Sequence, residues 1–303
     1  MATILEGPER SAPPAAPVSA GPAPATEAVL DRTCDFDRLE VGEILAAIHA
    51  EDRRAVEAVG AVLPDVARAV HALVTVLEQG GRWFNVGAGT SGRLGCLDAA
   101  EIPPTFGFPP ERIEGLIAGG PAALARSREG AEDDAEGARA ALRARRLAAG
   151  DAVVALSASG RTPYALAALE TAREVGARRI AITCDPESPL AAAAEIAIAP
   201  RVGPEVIAGS TRMKGGSAEK MVLHQLSTAV MVRLGRVEGN RMTHLRPASD
   251  KLWARALRLV MELGRVDEGR ARALLDRTRG SVADALAEAR KRPQRTSSAK
   301  GPS

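Results

Sequence analysis

Five short runs of strand-forming residues, separated by stretches with helical spacing, constrain this 303-residue chain more than any other feature. The runs are 83–86, Ile113–Ile117, Ala152–Leu156, 179–183 and Ile196–Ile198. Apolar residues recur three and four apart through 41–48, 56–77, 121–148 (with a break near Gly130), Pro163–Val175 and 213–234, which predicts helices there. Strands that alternate with helices pair in parallel through right-handed crossovers and carry helices on both faces. In such sheets ligands bind beyond the carboxyl ends of the strands. A further helical region is expected from 251 to 290, with amphipathic pieces at 271–275 and 282–286 joined at Gly280.

The ends read differently. Residues 1–27 are rich in Ala and Pro and nearly empty of large apolar groups, so they cannot offset the entropy of ordering and are expected to be disordered. The same holds for 291–303. Between the tails lie a ligand-binding α/β unit at 28–246, with its N-terminal helices, and the helical region at 247–290.

Composition excludes several classes. The 40 basic and 38 acidic residues leave a net charge of +2, too balanced for a nucleic-acid footprint, and aromatics at 2% are too few for base stacking. Three widely spaced cysteines (Cys34, Cys96, Cys184) form neither a disulfide framework nor a metal knuckle. The four histidines are scattered, so no metal site is expected. No apolar run reaches membrane-spanning length, and the N-terminus lacks a secretory pattern. These features together predict a cytoplasmic protein without a membrane partner.

Chemistry concentrates in three loops. Gly87-Ala88-Gly89-Thr90-Ser91-Gly92 joins the first run to a helical start, and its glycines and hydroxyls suit a phosphate or a sugar hydroxyl at a helix N-terminus. A carboxylate, Glu101, follows two to three turns later, before Pro103-Pro104, where a short helix is expected to stop. Ser157-Ala158-Ser159-Gly160-Arg161-Thr162-Pro163 opens the next helix in the same way. Simple N-capping would need one of Ser159 and Thr162, whereas three hydroxyls beside a glycine point to phosphate. The third loop runs from Gly203 to Ser217 and contains Glu205, Ser210, Thr211, Arg212 and Lys214. Ser210 or Thr211 is expected to cap the helix, and two basic residues against its positive end point to an anionic partner. Glu132 stands in the acidic cluster Glu129-Gly130-Ala131-Glu132-Asp133-Asp134, where a solvated first helical turn is the plain reading from composition.

The motifs taken together resemble the bacterial N-acetylmuramic acid 6-phosphate etherases. The resemblance is carried by the first loop with Asp98-Ala99-Ala100-Glu101-Ile102-Pro103-Pro104-Thr105-Phe106, by Leu116-Ile117-Ala118-Gly119-Gly120, by Glu129-Gly130-Ala131-Glu132-Asp133, by Ala158-Ser159-Gly160-Arg161-Thr162-Pro163-Tyr164 and by Gly209-Ser210-Thr211-Arg212-Met213-Lys214. It extends over about 37–260. It implies the sugar isomerase (SIS) fold, a three-layer αβα sandwich with a five-stranded parallel sheet, shared with glucokinase regulatory protein. It also implies a homodimer whose site is completed across the interface, with 221–234 as the expected contact helix, and no cofactor.

The implied reaction, in cell-wall amino-sugar recycling, cleaves the lactyl ether of N-acetylmuramic acid 6-phosphate to N-acetylglucosamine 6-phosphate and D-lactate by elimination and hydration. Matched positions make Glu101 and Glu132 the catalytic carboxylates. Thr90, Ser91, Ser157, Ser159, Thr162, Glu205, Ser210, Thr211 and Lys214 are the expected contacts to the sugar phosphate. Two positions depart from the family pattern: Leu30, where an asparagine is usual after Thr26-Glu27, and Thr243-His244, where Val-Asp is usual. A sugar-phosphate-binding regulator without catalysis is the competing class. Its known example carries two such domains in tandem, and 303 residues hold one.

Overall fold

A computed structural model describes residues 25–245, 247 and 249–291. Of the tails expected at 1–27 and 291–303, residues 1–24 and 292–303 lie outside the described residues. The N-terminal tail boundary needs correction, because Ala25–Glu27 form a 3₁₀ turn in which Thr26 is buried.

The strands are β1 (Trp83–Gly87), β2 (Ile113–Ile117), β3 (Ala152–Leu156), β4 (Arg178–Ile182) and β5 (Ile196–Ile198). They form one fully parallel sheet in the order β2-β1-β3-β4-β5. The helices are α1 (Val41–Ala61), α2 (Leu63–Glu78), α3 (Gly89–Phe106), α4 (Ala135–Ala144), α5 (Pro163–Val175), α6 (Pro189–Ala193), α7 (Lys214–Arg233), α8 (Asp250–Gly264), α9 (Glu268–Arg277) and α10 (Val282–Arg290).

Side-chain alternation along the strands builds two cores. Trp83, Ile113, Val154, Leu156, Ile180 and Ile182 pack under α2, α3 and α7. Phe84, Val86, Leu116, Val153, Ala155 and Ala181 pack under α4 and α5. The expected αβα sandwich is therefore the fold. The last three helices gather their own apolar cluster around Leu245, Val260, Leu274 and Leu286.

Asn85 breaks the apolar pattern of β1 yet is fully buried. Its amide oxygen accepts from Trp83 Nε1 at 2.7 Å and its amide nitrogen donates to the Gly95 carbonyl at 3.1 Å, which ties strand to helix. Gly92 lets the first turn of α3 lie close on the end of β1, since a Cβ there would lie 2.5 Å from the Gly87 carbonyl oxygen. This glycine serves helix–strand packing. Gly89, at φ +52° with open space beside it, is the one at the ligand side.

Several expectations are corrected. Helix α3 does not stop at Pro103-Pro104 but runs on to Phe106 and ends at Gly107, whose φ is +58°. Burial of Ile102 and Phe106 outweighs the two lost N–H donors. The helix expected over 121–148 is mostly absent before Ala135: Pro121–Leu124 and Ala131–Asp133 are single 3₁₀ turns, with Gly130 left-handed between them. Helix α7, expected as the contact helix of a dimer, is a core helix along one face and is exposed at His224, Thr228 and Val232 on the other. Val222, Leu223, Leu226, Val230 and Met231 are buried against α1, α2 and α3. Among the described residues no single helix is long and apolar enough to cross a membrane; α1 and α2 reach the length only together and bend by 58°.

Candidate active site

The chain order reverses between β1 and β3, which are neighbours, and the loops following them open at the same end of the sheet. That crevice is a cleft of about 450 Å³, lined by Thr90, Ser91, Glu132, Ser157, Ser159, Thr162, Ser210, Thr211, Arg212 and Glu27, among others. Its size suits a small ligand. The first three backbone N–H groups of α3 (Gly89, Thr90, Ser91) precede its first intrahelical bond, from Gly92 N–H to the Ala88 carbonyl. No side chain caps this helix, so those donors face the cleft with the positive end of its dipole.

The loop after β3 is cross-braced by its own hydroxyls. Ser157 Oγ lies 2.8 Å from Thr162 Oγ1 and 3.4 Å from Ser159 Oγ, and it also accepts from Gly160 N–H at 3.0 Å. Thr162 stands at the N-cap of α5 but makes no capping bond, and Pro163 occupies the first turn without needing a donor. The capping alternative thus leaves these hydroxyls unexplained. Gly160, at φ +66°, is pressed against Ser188 and Thr183, where no side chain fits.

The third loop divides. Ser210, Thr211 and Arg212 reach the cleft, and Arg212 is the one basic side chain lining it among the described residues. Neither Ser210 nor Thr211 caps α7. Glu205 does that instead: its carboxylate accepts from Lys214 N–H at 3.2 Å and from Gly215 N–H at 2.9 Å. Burial pushes the Glu205 carboxyl up, and those two donors pull it back down. Lys214 is 1% exposed and paired with Glu51, which also binds Arg32. The anion expected against the basic start of α7 is internal for Lys214, and neither Glu205 nor Lys214 lines the cleft. A sequence offers no sign of this, because Glu51 stands 163 residues away.

The two candidate catalytic carboxylates are separated. Glu132 is exposed at the cleft mouth. Glu101 is exposed on α3, with Lys220 Nζ 3.7 Å from its carboxylate. Eleven residues of helix separate it from Thr90, roughly 16 Å along the axis. Glu101 therefore does not line the cleft of its own chain. Beneath it Asp98, 3% exposed, accepts from Ser227 at 2.9 Å, and burial raises its carboxyl to about 6. The two departures also fall away from the cleft. Leu30 is buried as a packing residue, and the backbone oxygen of His244 abuts Gly107 at the end of α3. Among the described residues no cluster of His, Cys, Asp and Glu suits a metal ion.

Glu27 and Glu219 were not among the expected site residues. Glu27 belongs to the 3₁₀ turn at 25–27 and reaches the cleft beside Gly209. Glu219 lies buried under Ser91, to which both its carboxylate oxygens are hydrogen-bonded.

Residues 65–173 match the glucokinase regulatory protein N-terminal SIS domain family, and 136–229 match the SIS domain family. The N-acetylmuramic acid 6-phosphate etherase of Symbiobacterium thermophilum is 50% identical over 261 residues, covering 86% of this chain and 87% of that one. The chain belongs to the N-acetylmuramic acid 6-phosphate etherase family. The Jannaschia sp. etherase is 47% identical, over 85% of this chain and 81% of its own. The Pectobacterium atrosepticum etherase is 48% identical, over 84% of each. Within this fold the hydroxyl-lined cleft lies at the switch point between β1 and β3.

Proposed function

We infer that this chain hydrolyses the lactyl ether of N-acetylmuramic acid 6-phosphate, releasing D-lactate and N-acetylglucosamine 6-phosphate. Relatives of that activity at about half identity over most of both chains carry this conclusion. The cleft supports it chemically. With one cationic side chain at hand, a phosphate is held by neutral donors: the hydroxyls of Ser157, Ser159 and Thr162 and the N-terminal N–H groups of α3 and α5. Thr90, Ser91, Ser210 and Thr211 are left for the sugar and its substituents.

The reaction follows from the sugar. In the open-chain form the C1 aldehyde acidifies the C2 hydrogen, and the lactyl oxygen on C3 is a β leaving group. A base takes the C2 proton, the electron pair forms the C2–C3 double bond, and the C3–O bond breaks. An acid protonates the departing lactate oxygen, and water then adds at C3. Two positioned carboxylates can perform both proton transfers, each contributing about 10²–10⁴-fold.

We assign the C2 proton to Glu132, beside the phosphate loop, and lactate departure to Glu101. The placement of Glu101 favours a homodimer in which Glu101 serves the partner's cleft. Leu97, one turn before Glu101, is 44% exposed, and Val41, Leu45 and Val56 on α1 are exposed by 58–71%. Exposed apolar side chains of that kind suit a protein interface.

Incubation of the purified protein with N-acetylmuramic acid 6-phosphate should release D-lactate in equal amount to N-acetylglucosamine 6-phosphate. In labelled water the new sugar hydroxyl at C3 should carry the label. Tight binding of the sugar phosphate without lactate would instead identify a regulator.

A further inference from the structure

Glu219 is the buried carboxyl that the reaction above does not use. It lies on α7, 1% exposed, and its two oxygens are 2.9 and 2.8 Å from Ser91 Oγ. Ser91 in turn lines the cleft from the first turn of α3. A serine hydroxyl has one hydrogen, so the state of Glu219 decides where that hydrogen points. Above an ionised carboxylate Ser91 must donate inward and would present lone pairs to the cleft. Above a carboxylic acid Ser91 accepts the acid's proton and its own hydrogen is free for a ligand oxygen.

We propose that Glu219 acts as a neutral carboxylic acid that donates to Ser91 Oγ, turns the Ser91 hydroxyl into a donor toward the cleft, and so makes Glu219 a positioning residue for an anionic sugar phosphate. The proposal rests on the cleft being the sugar-phosphate site. The surroundings favour the acid. Glu219 has no ion-pair partner among the described residues, and the lysine five residues before it is committed to Glu51. Glu219 is bonded to Ser91 on α3, and the buried titratable groups on the elements around α7 include Asp98 on α3, Glu51 on α1, Glu205 in the loop before α7 and Cys184 after β4. The Cys184 thiol is itself pushed up by burial and then by Glu219 and Glu205. Burial raises Glu219 to about 8, opposed by the Ser91 hydrogen bond, and no cation counteracts it. Asp98, raised to about 6, has already titrated at neutral pH, and a phosphate monoester completes its ionisation near pH 6.

The test is calorimetric binding of N-acetylglucosamine 6-phosphate to the full chain between pH 7 and 9.5. Wild-type affinity should fall by about tenfold as Glu219 ionises and Ser91 turns inward. Glu219→Gln, whose amide donates at every pH, should match wild type at pH 7 and stay flat to pH 9.5. Ser91→Ala should be weak and flat throughout, which a purely structural role for Glu219 would not produce. A flat wild-type profile, or a Glu219→Gln profile that keeps the alkaline fall, overturns the proposal while leaving the phosphate site intact. If Glu219→Gln fails to fold, survival of the alkaline fall in Ser91→Ala overturns it equally. Absence of binding at any pH overturns both the site and the proposal. Binding with the alkaline fall but without D-lactate release overturns the etherase reading and leaves this one standing.

Discussion

Mixing two inactive variants tests whether the site is shared between subunits. Glu101 lies roughly 16 Å along α3 from the cleft that its own chain builds, and Glu132 lies at the mouth of that cleft. A side chain spans only a few ångströms, so the two carboxylates of one chain cannot meet on one sugar. In a two-fold dimer each cleft then combines its own Glu132 with the partner's Glu101. Glu101→Gln and Glu132→Gln homodimers should each be inactive, because every cleft lacks one carboxylate. A mixed dimer has one cleft with both substitutions and one with neither.

Random assortment makes half of the dimers mixed, and one cleft in two of those is intact, so activity should return to about a quarter of the wild-type rate. The assay is D-lactate release from co-expressed, differently tagged chains, with the mixed dimer isolated by its two tags and its composition checked by native mass spectrometry. The purified mixed dimer should then run at about half the wild-type rate per dimer. A verified mixed dimer with no activity would place both glutamates in one chain's site and refute the reasoning. A fully active monomer in light scattering would refute it more directly.

Four further outcomes follow. Glu101→Gln should still exchange solvent deuterium into C2 of the sugar while making no D-lactate, whereas Glu132→Gln should lose both, and the reverse pattern would swap their roles. Ser159→Ala should weaken substrate binding about tenfold or more, for loss of a charge-assisted hydrogen bond worth roughly 1.5–3 kcal/mol, with the thermal melt unchanged. Lys214→Met leaves Glu51 buried with only the partly exposed Arg32 and Arg54, and should cost about 3 kcal/mol and lower Tm by roughly 6–12 °C; an unchanged Tm would show that the two arginines neutralise Glu51. The Glu219 carboxyl, raised in the fold from 4.5 to about 8, keeps a proton that the unfolded chain loses, so its contribution to stability is full below pH 4.5 and is lost as pH rises to about 8. Glu219→Gln should flatten that slope in urea titrations, and an unaltered slope would assign it to another group.

What the sequence displays and what it conceals divide along physical lines. Periodicity registers burial on a repeating face, and β3, β5 and α5 emerge with their observed bounds because each carries an unbroken apolar run or stripe, while β2 emerges from the apolar residues that flank Glu114-Gly115. It misleads around Pro121–Leu124, where alanines imitate a helix but the left-handed Gly119, Gly120 and Gly130 break it into turns. The hydroxyls at 90, 91, 157, 159 and 162 are legible because a strand-to-helix turn places them locally. Lys214 and Glu205 are not, since the identity of a charge's partner is a tertiary fact. A basic residue at a helix start points to an anion, and nothing in the local pattern distinguishes a ligand from Glu51. Glu219 is hidden for the same reason: on a helix that mixes apolar and polar residues, nothing local marks this glutamate as the one buried under Ser91.

The internal pairing of Lys214 also explains the chemistry left in the cleft. A lysine pointing into the site would hold phosphate strongly, but it would also favour both carboxylates as anions and oppose protonation of the one that must act as acid. Committing Lys214 to Glu51 keeps its charge in the scaffold, where it links α7 to α1 and, through Glu51, to Arg32 of the N-terminal segment that carries Glu27 to the cleft. Phosphate is then met by hydroxyls and helix ends, with Arg212 the one cationic side chain on the cleft wall among the described residues. On this logic, a cation placed on the cleft wall, as in Thr90→Lys, should tighten binding of N-acetylglucosamine 6-phosphate and slow D-lactate release. Faster turnover with tighter binding would show that charge, rather than proton management, limits this site.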